Sequence, residues 1–318
     1  MTGNSDRVLV LGGTGFIGNR LVDRLAAEGV PMRLLARDPD RARGKLPGGA
    51  DIQVVKGDLT EDAGLDEALR GIRTAYYLVH SMGGRTILEN RRFITMDKAA
   101  AVNFVLAADR SSLERIIYLG GLGEVGKGLS KHLQSRAEVA DILAAARAKA
   151  TILRAAVIIG AGGASFEILR YLVERLPVMV CPRWVDTKIQ PIAVDDVIGY
   201  LYGCLRNVET AGGRFDIGGP EIMTYRIMME QYADARGLAR RLIVAVPLLS
   251  PRLSSYWVDL VTPIPSGVVH PLIEGMKNEV ICRDDRIERL IPMKKTPFRE
   301  AVVKALSQEK EGPGKLAA

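Results

Sequence analysis

Three glycines, Gly12, Gly15 and Gly18, follow the apolar run Val8-Leu9-Val10-Leu11 at a spacing suited to holding a phosphate. Without a Cβ the backbone can turn tightly and approach a pyrophosphate, while the free N–H groups of a helix starting near Gly15 face the anion. Thr14, Phe16 and Ile17 complete that turn. Charge chemistry is offered by His132 and Arg136, four apart in a segment with helical patterning and therefore on one face. Histidine titrates near neutrality and can act as general acid or base; a neighbouring arginine favours its neutral form and so the role of base. Arg136 can hold hydroxyls or an anionic group but cannot shuttle a proton. His80, followed by Ser81 after an apolar strand, is expected to wall the ligand and has a weaker claim to acid–base work. His270, between Val269 and Pro271, reads as packing.

The elements that would position these residues alternate. Strands are predicted at 7–11, 31–36, 52–56, 75–79, 115–119 and 150–155, with helices between them, the longest from about Glu89 to Asp109. That order predicts a Rossmann-type α/β fold, a doubly wound parallel sheet with ligands at the carboxyl ends of its strands. Strand two ends in Ala36 where an NAD enzyme usually carries an acid, and Arg37 follows, which suits the 2′-phosphate of NADP; NAD is the less favoured alternative. Arg33, further back on the strand, is expected to assist, and Asp38 to cap a short helix at Pro39 to Arg43. Gly57-Asp58-Leu59 falls where the adenine would lie, with Asp58 accepting from its amine or capping the next helix. Gly120 and Gly121 end strand five.

Past residue 160 the regularity fades. The expected organisation is an NAD(P)-binding domain over 1–160, a mixed segment over 161–308 that completes the sheet and forms a smaller, mainly helical substrate lobe, and a disordered tail over 309–318. Thr296-Pro297 is expected to cap a last helix ending near Leu306. Trp184, Tyr225, Tyr256 and Trp257, with the apolar run 258–265, are expected to be ordinary core of the smaller lobe, with walling the substrate side or lying against lipid as the alternative.

Composition narrows the partners. The chain has 318 residues, 47% hydrophobic, enough for a large core. Its net charge of +7 comes from basic residues interleaved with acids, and aromatics are only 5%, so no nucleic-acid stripe is present. Three scattered cysteines indicate neither a disulfide framework nor a zinc site, and no metal is expected. A reducing cytoplasm fits, the polar start leaves no room for a signal peptide, and no apolar run reaches a membrane span. A monomer or homodimer is expected, with peripheral membrane contact as an open alternative.

The chain resembles an atypical extended short-chain dehydrogenase/reductase, of the NmrA-like and complex I accessory subunit-like kind. The resemblance rests on Gly12 to Gly18, Leu35-Ala36-Arg37-Asp38-Pro39, Gly57-Asp58-Leu59, Arg154 after Thr151-Ile152-Leu153, Gln190-Pro191-Ile192-Ala193-Val194-Asp195-Asp196-Val197, and Phe215-Asp216-Ile217-Gly218-Gly219-Pro220. Classical members carry Ser or Thr after strand five and Y-x-x-x-K on the next helix. Here Gly120 and Gly121 replace the hydroxyl, and alignment on Ala137-Glu138 puts His132 at the tyrosine place and Arg136 at the lysine place. The resemblance implies binding of a nicotinamide dinucleotide and a cofactor contact for Arg136. It leaves three functions open: an NADPH-dependent oxidoreductase acting on a small apolar carbonyl, enone or quinone-like substrate, a non-catalytic redox sensor or assembly protein, and a sugar-nucleotide epimerase or dehydratase.

Overall fold

A computed structural model describes residues 7–80, 87–123, 131–246 and 262–310, with the side chains of 87–94, 131, 132, 266, 267 and 310 outside the description. Strands β1 (Val8–Leu11), β2 (Met32–Ala36), β3 (Ile52–Lys56), β4 (Thr74–Tyr77), β5 (Arg115–Gly121) and β6 (Lys149–Ala155) alternate with helices α1 (Phe16–Ala27), α2 (Pro39–Arg43), α3 (Leu65–Leu69), α4 (Ile87–Asp109) and α5 (Lys131–Ala144). Then follow β7 (Ile158–Ile159), α6 (Ala164–Arg175), β8 (Val178–Pro182), β9 (Lys188–Ile189), β10 (Ile192–Ala193), α7 (Val194–Arg206), β11 (Arg214–Ile217), β12 (Met223–Thr224), α8 (Tyr225–Arg236) and β13 (Leu242–Val246). The last helices described are Ser266–Gly275, Arg286–Leu290 and Phe298–Lys310.

Seven parallel strands form the main sheet in the order β11-β6-β5-β4-β1-β2-β3. The order reverses between β1 and β4, and the crevice at a topological switch point is where such sheets take ligands. Alternate residues of β1 explain why it is wholly buried: Val8 and Val10 face α1 and α7, Leu9 and Leu11 face α3, α4 and α5. β5 runs two residues past the predicted end because Gly120 and Gly121 continue the register opposite Arg154 and Ala155.

A second core gathers α6, β8, α8 and the helices Ser266–Gly275 and Phe298–Lys310. Gln190 ties the segments together, donating to the Gly219 carbonyl (2.8 Å) and accepting from the Cys282 N–H (2.9 Å). The last helix departs from expectation at both ends. Thr296 does not cap it, because its hydroxyl and N–H go to the Asp196 carboxylate (2.9 and 2.8 Å), and Glu221 receives the Phe298 N–H instead (2.6 Å). The helix also runs on to Lys310, overturning a tail that starts at 309, since Glu309 meets Arg170 at 3.4 Å.

Trp184 and Tyr225 are core residues in edge-to-face contact at 5.8 Å, not cleft or lipid aromatics. Tyr256 and Trp257 lie outside the described residues. No described helix is long and apolar enough to cross a membrane.

Candidate functional site

At the phosphate end, Gly12 is required twice over. It sits at φ +79°, and a Cβ there would lie 2.7 Å from the Leu78 carbonyl across the switch point. A Cβ on Gly18 would collide with the Gly12 carbonyl. Gly15 differs: it donates to the Gly12 carbonyl at 3.0 Å, and a Cβ on it would meet only that oxygen, at 3.3 Å. The space beyond Gly15 is therefore open. No side chain caps α1 and its first turn holds no acid, so the N–H groups of Phe16, Ile17 and Gly18, which have no intrahelical acceptor, suit an anion. Thr14 stands half-buried beside them. The Phe16 ring itself packs against Gly160 and Gly163, under Arg20 at 4.5 Å, leaving its N–H for a ligand.

At the ribose end Arg37 is exposed just past β2, and no described carboxylate pairs with it. Asp38 caps α2 as expected, accepting from the Arg41 N–H at 3.0 Å. Arg33 does not assist. It is buried, holds Gln53 Oε1 (3.1 and 3.0 Å) and donates to the carbonyls of Glu67, Ala68 and Arg70 at the end of α3. Asp58 does not cap that helix, whose N-cap is Gly64 at φ +76°; its Oδ1 instead takes the Thr60 N–H (2.9 Å) and hydroxyl (2.8 Å). Leu59 puts its side chain into the core under α4.

At the ends of β4 and β5 stands a cluster of polar groups. His80 Nδ1 lies 3.1 Å from the carboxylate of Asp97, which is 6% exposed on α4. Burial and the Arg136 charge push the imidazole down to about 4, against the opposing pull of Asp97, so it is neutral at pH 7. Arg136 donates to the Leu119 carbonyl (3.0 Å) and lies over the Tyr118 ring, whose hydroxyl donates back to the Arg136 carbonyl (3.3 Å).

The missing hydroxyl after strand five has a steric reason. A side chain at Gly120 would meet the Tyr118 ring at 2.8 Å, and one at Gly121 would meet Leu133 at 3.0 Å. His132 is on α5, one turn before Arg136, with its side chain outside the described residues; Ser81 lies outside them altogether. Arg154 is paired with Asp216 at 2.6 Å, joining β6 to β11. Among the described residues no three His, Cys, Asp or Glu side chains form a metal site.

Asp97 was not anticipated from sequence. Its signal is its place on the buried stripe of α4, three, four, seven and eleven residues before Ala100, Ala101, Phe104 and Ala108. A carboxylate on such a stripe needs a partner inside the fold.

Residues 12–167 match the NAD(P)H-binding family. A 3-beta-hydroxysteroid dehydrogenase of Mycolicibacterium neoaurum is 32% identical over 117 residues, 35% of this chain, and the match spans 31% of that protein's length. The ceramide reductase of Caulobacter vibrioides is 31% identical over 201 residues, 63% of this chain and 61% of the reductase. The mitochondrial NADH dehydrogenase [ubiquinone] 1 alpha subcomplex subunit 9 of Arabidopsis thaliana is 24% identical over 292 residues, 88% of this chain and 71% of that subunit. The solved complex of MoeE5 with UDP-glucose and NAD superposes with a TM-score of 0.70 at 16% identity, covering 96% of this chain and 99% of that one, a likeness of fold.

Proposed function

We propose, from its membership of the atypical extended short-chain dehydrogenase/reductase family, that this NAD(P)-binding chain is an NADPH-dependent oxidoreductase acting on a small apolar carbonyl, enone or quinone-like compound. The observation that carries the reading is the titratable cluster of His80, Asp97 and Arg136 at the strand ends beside the switch point. A purely structural nucleotide fold has no need of a half-buried histidine on a buried carboxylate there. The dehydrogenase and reductase among the relatives, whose names give a steroid and a ceramide, support an apolar substrate.

The residues fit the cofactor: the room above Gly15 and the uncapped start of α1 suit a pyrophosphate, and exposed Arg37 suits a 2′-phosphate. The bound nicotinamide supplies the hydride. In this reading Gly12, Thr14, Gly15 and the N–H groups of Phe16, Ile17 and Gly18 hold the phosphates, and Asp58 and Leu59 border the adenine. Gly120 passes the reacting end against the Tyr118 ring, with no space for a side chain, and His80 and Ser81 wall that end. His132, at the tyrosine place, exchanges the proton with the substrate oxygen. Arg136 has donors beyond the one given to Leu119 and orients the ribose, while its charge adds to burial in keeping His80 neutral.

A second reading, a nucleotide-binding protein without turnover, has its own support. The Tyr118 ring fills the place of the usual hydroxyl, and the complex I subunit aligns with 88% of the chain. The two separate on one assay, NADPH oxidation with a panel of apolar carbonyls, enones and quinones. Turnover with one of them is expected. Tight NADPH binding with no oxidation by any would establish the second reading.

A further inference from the structure

β8 and β13 pair in parallel as a two-stranded ribbon, with Leu242 opposite Val178 and Val244 opposite Val180. One face is core, carrying Met179, Cys181 and Ile243. The other should be polar if it only met water. Instead it presents Val178 (52% exposed), Val180 (49%), Leu242 (59%) and Val244 (41%), four aliphatic side chains side by side.

The rim is basic. Arg183 leaves the carboxyl end of β8, and Arg240 and Arg241 enter the amino end of β13. Arg241 is fixed by donation to the Val173 carbonyl at 2.9 Å. Neither 175–185 nor 235–246 contains an Asp or Glu. Of the carboxylates flanking these segments, Asp186 is matched with Arg226 (2.8 Å) and Glu174 with Arg236 (3.0 Å), and Asp234 precedes the turn that leads into β13. Positive charge at both ends of a narrow aliphatic face is the complement of an anionic bilayer, which takes the aliphatic groups below its headgroups and the guanidiniums among its phosphates.

A second copy of the chain fits less well. A stable protein interface uses about 20 to 30 residues a side, against the four aliphatic groups here. Extension by strand addition is hindered as well, because Arg226 already donates to the Ile243 carbonyl of β13 (2.6 Å). We infer that the outer face of the β8–β13 ribbon, Val178, Val180, Leu242 and Val244 with Arg183 and Arg240, is a docking surface for an anionic lipid bilayer.

Co-sedimentation of the full chain with phosphatidylglycerol vesicles, against phosphatidylcholine vesicles, tests this. The wild type should sediment with the anionic vesicles at low salt and be released at high salt. The double variants Val180→Glu, Leu242→Glu and Arg183→Glu, Arg240→Glu should each lose binding at least about tenfold with melting unchanged. Should the first pair melt early, Val180→Thr, Leu242→Thr keeps strand-forming residues and should show the same loss. Absence of wild-type binding, equal binding to both lipids, or binding unaltered in the variants overturns the inference. So does a wild-type dimer that becomes monomeric in Val180→Glu, Leu242→Glu without any vesicle binding, which would make the face a contact between copies.

Discussion

The imidazole of His80, at the end of β4, lies 3.1 Å from the buried carboxylate of Asp97 on α4, and Arg136 on α5 acts on the same ring. The folded chain holds His80 near 4 whereas the unfolded chain holds it near 6.5, so between those values the unfolded state binds more protons. Stability is therefore complete above about pH 6.5 and declines as pH falls toward 4, by on the order of 3 kcal/mol in all. Urea unfolding at neutral pH and near pH 4 should show that decline in the wild type and a shallower one in His80→Gln. An identical slope in the variant would remove His80 from the acid response.

Cofactor preference should follow Arg37 and ignore Arg33. A charge-assisted contact from Arg37 to a 2′-phosphate contributes about 1.5 to 3 kcal/mol, so NADPH should bind roughly ten- to a hundredfold more tightly than NADH, and Arg37→Ala should erase the difference. Arg33→Ala should keep the preference but lower the melting temperature, because it strips the hydrogen bonds to Gln53 and the α3 carbonyls. Equal affinities in the wild type would sink the NADP assignment.

The two arginines show where the sequence was legible. Period and punctuation placed β1 to β6 within about two residues, because central parallel strands are continuous apolar runs bounded by glycine and proline. The glycine turn was readable for the same local reason. Whether Arg33 faces solvent or α3 depends on which side of β2 the helix packs, and residues 31–36 do not encode that. Thr296 carries a capping signature, yet Asp196, a hundred residues away, holds it instead. His80 was visible as a residue at a strand end, but its partner sits on a different element.

Gly15→Val should abolish nucleotide binding and leave the fold intact. Gly15 has φ −79° and ψ 178°, which valine adopts without strain, and its Cβ would meet only the Gly12 carbonyl oxygen, at 3.3 Å. The stability loss should stay within about 1 kcal/mol, that of a weaker N-cap. Gly18→Ala should do the opposite and unfold the domain, since its methyl would enter the Gly12 carbonyl. Calorimetry without nucleotide, paired with NADPH titration, reads both. If Gly15→Val melts far below the wild type, the glycine is a packing residue and the phosphate assignment loses its support.

Replacement of His132 and of Arg136 should give different kinetic signatures. His132→Ala should lower turnover by about a hundred- to ten-thousandfold, the usual size of a general acid–base contribution, with NADPH affinity nearly unchanged. Arg136→Ala should first weaken NADPH binding, because in the proposed reading its remaining donors serve the ribose, and reduce turnover through misplacement of the reacting ring. It should also move His80 upward by removing the nearby positive charge, a change visible in the imidazole NMR titration of the variant. If His132→Ala weakens NADPH binding as much as Arg136→Ala does, and turnover is absent in the wild type, His132 is a nucleotide contact and the chain binds NADPH without reducing anything.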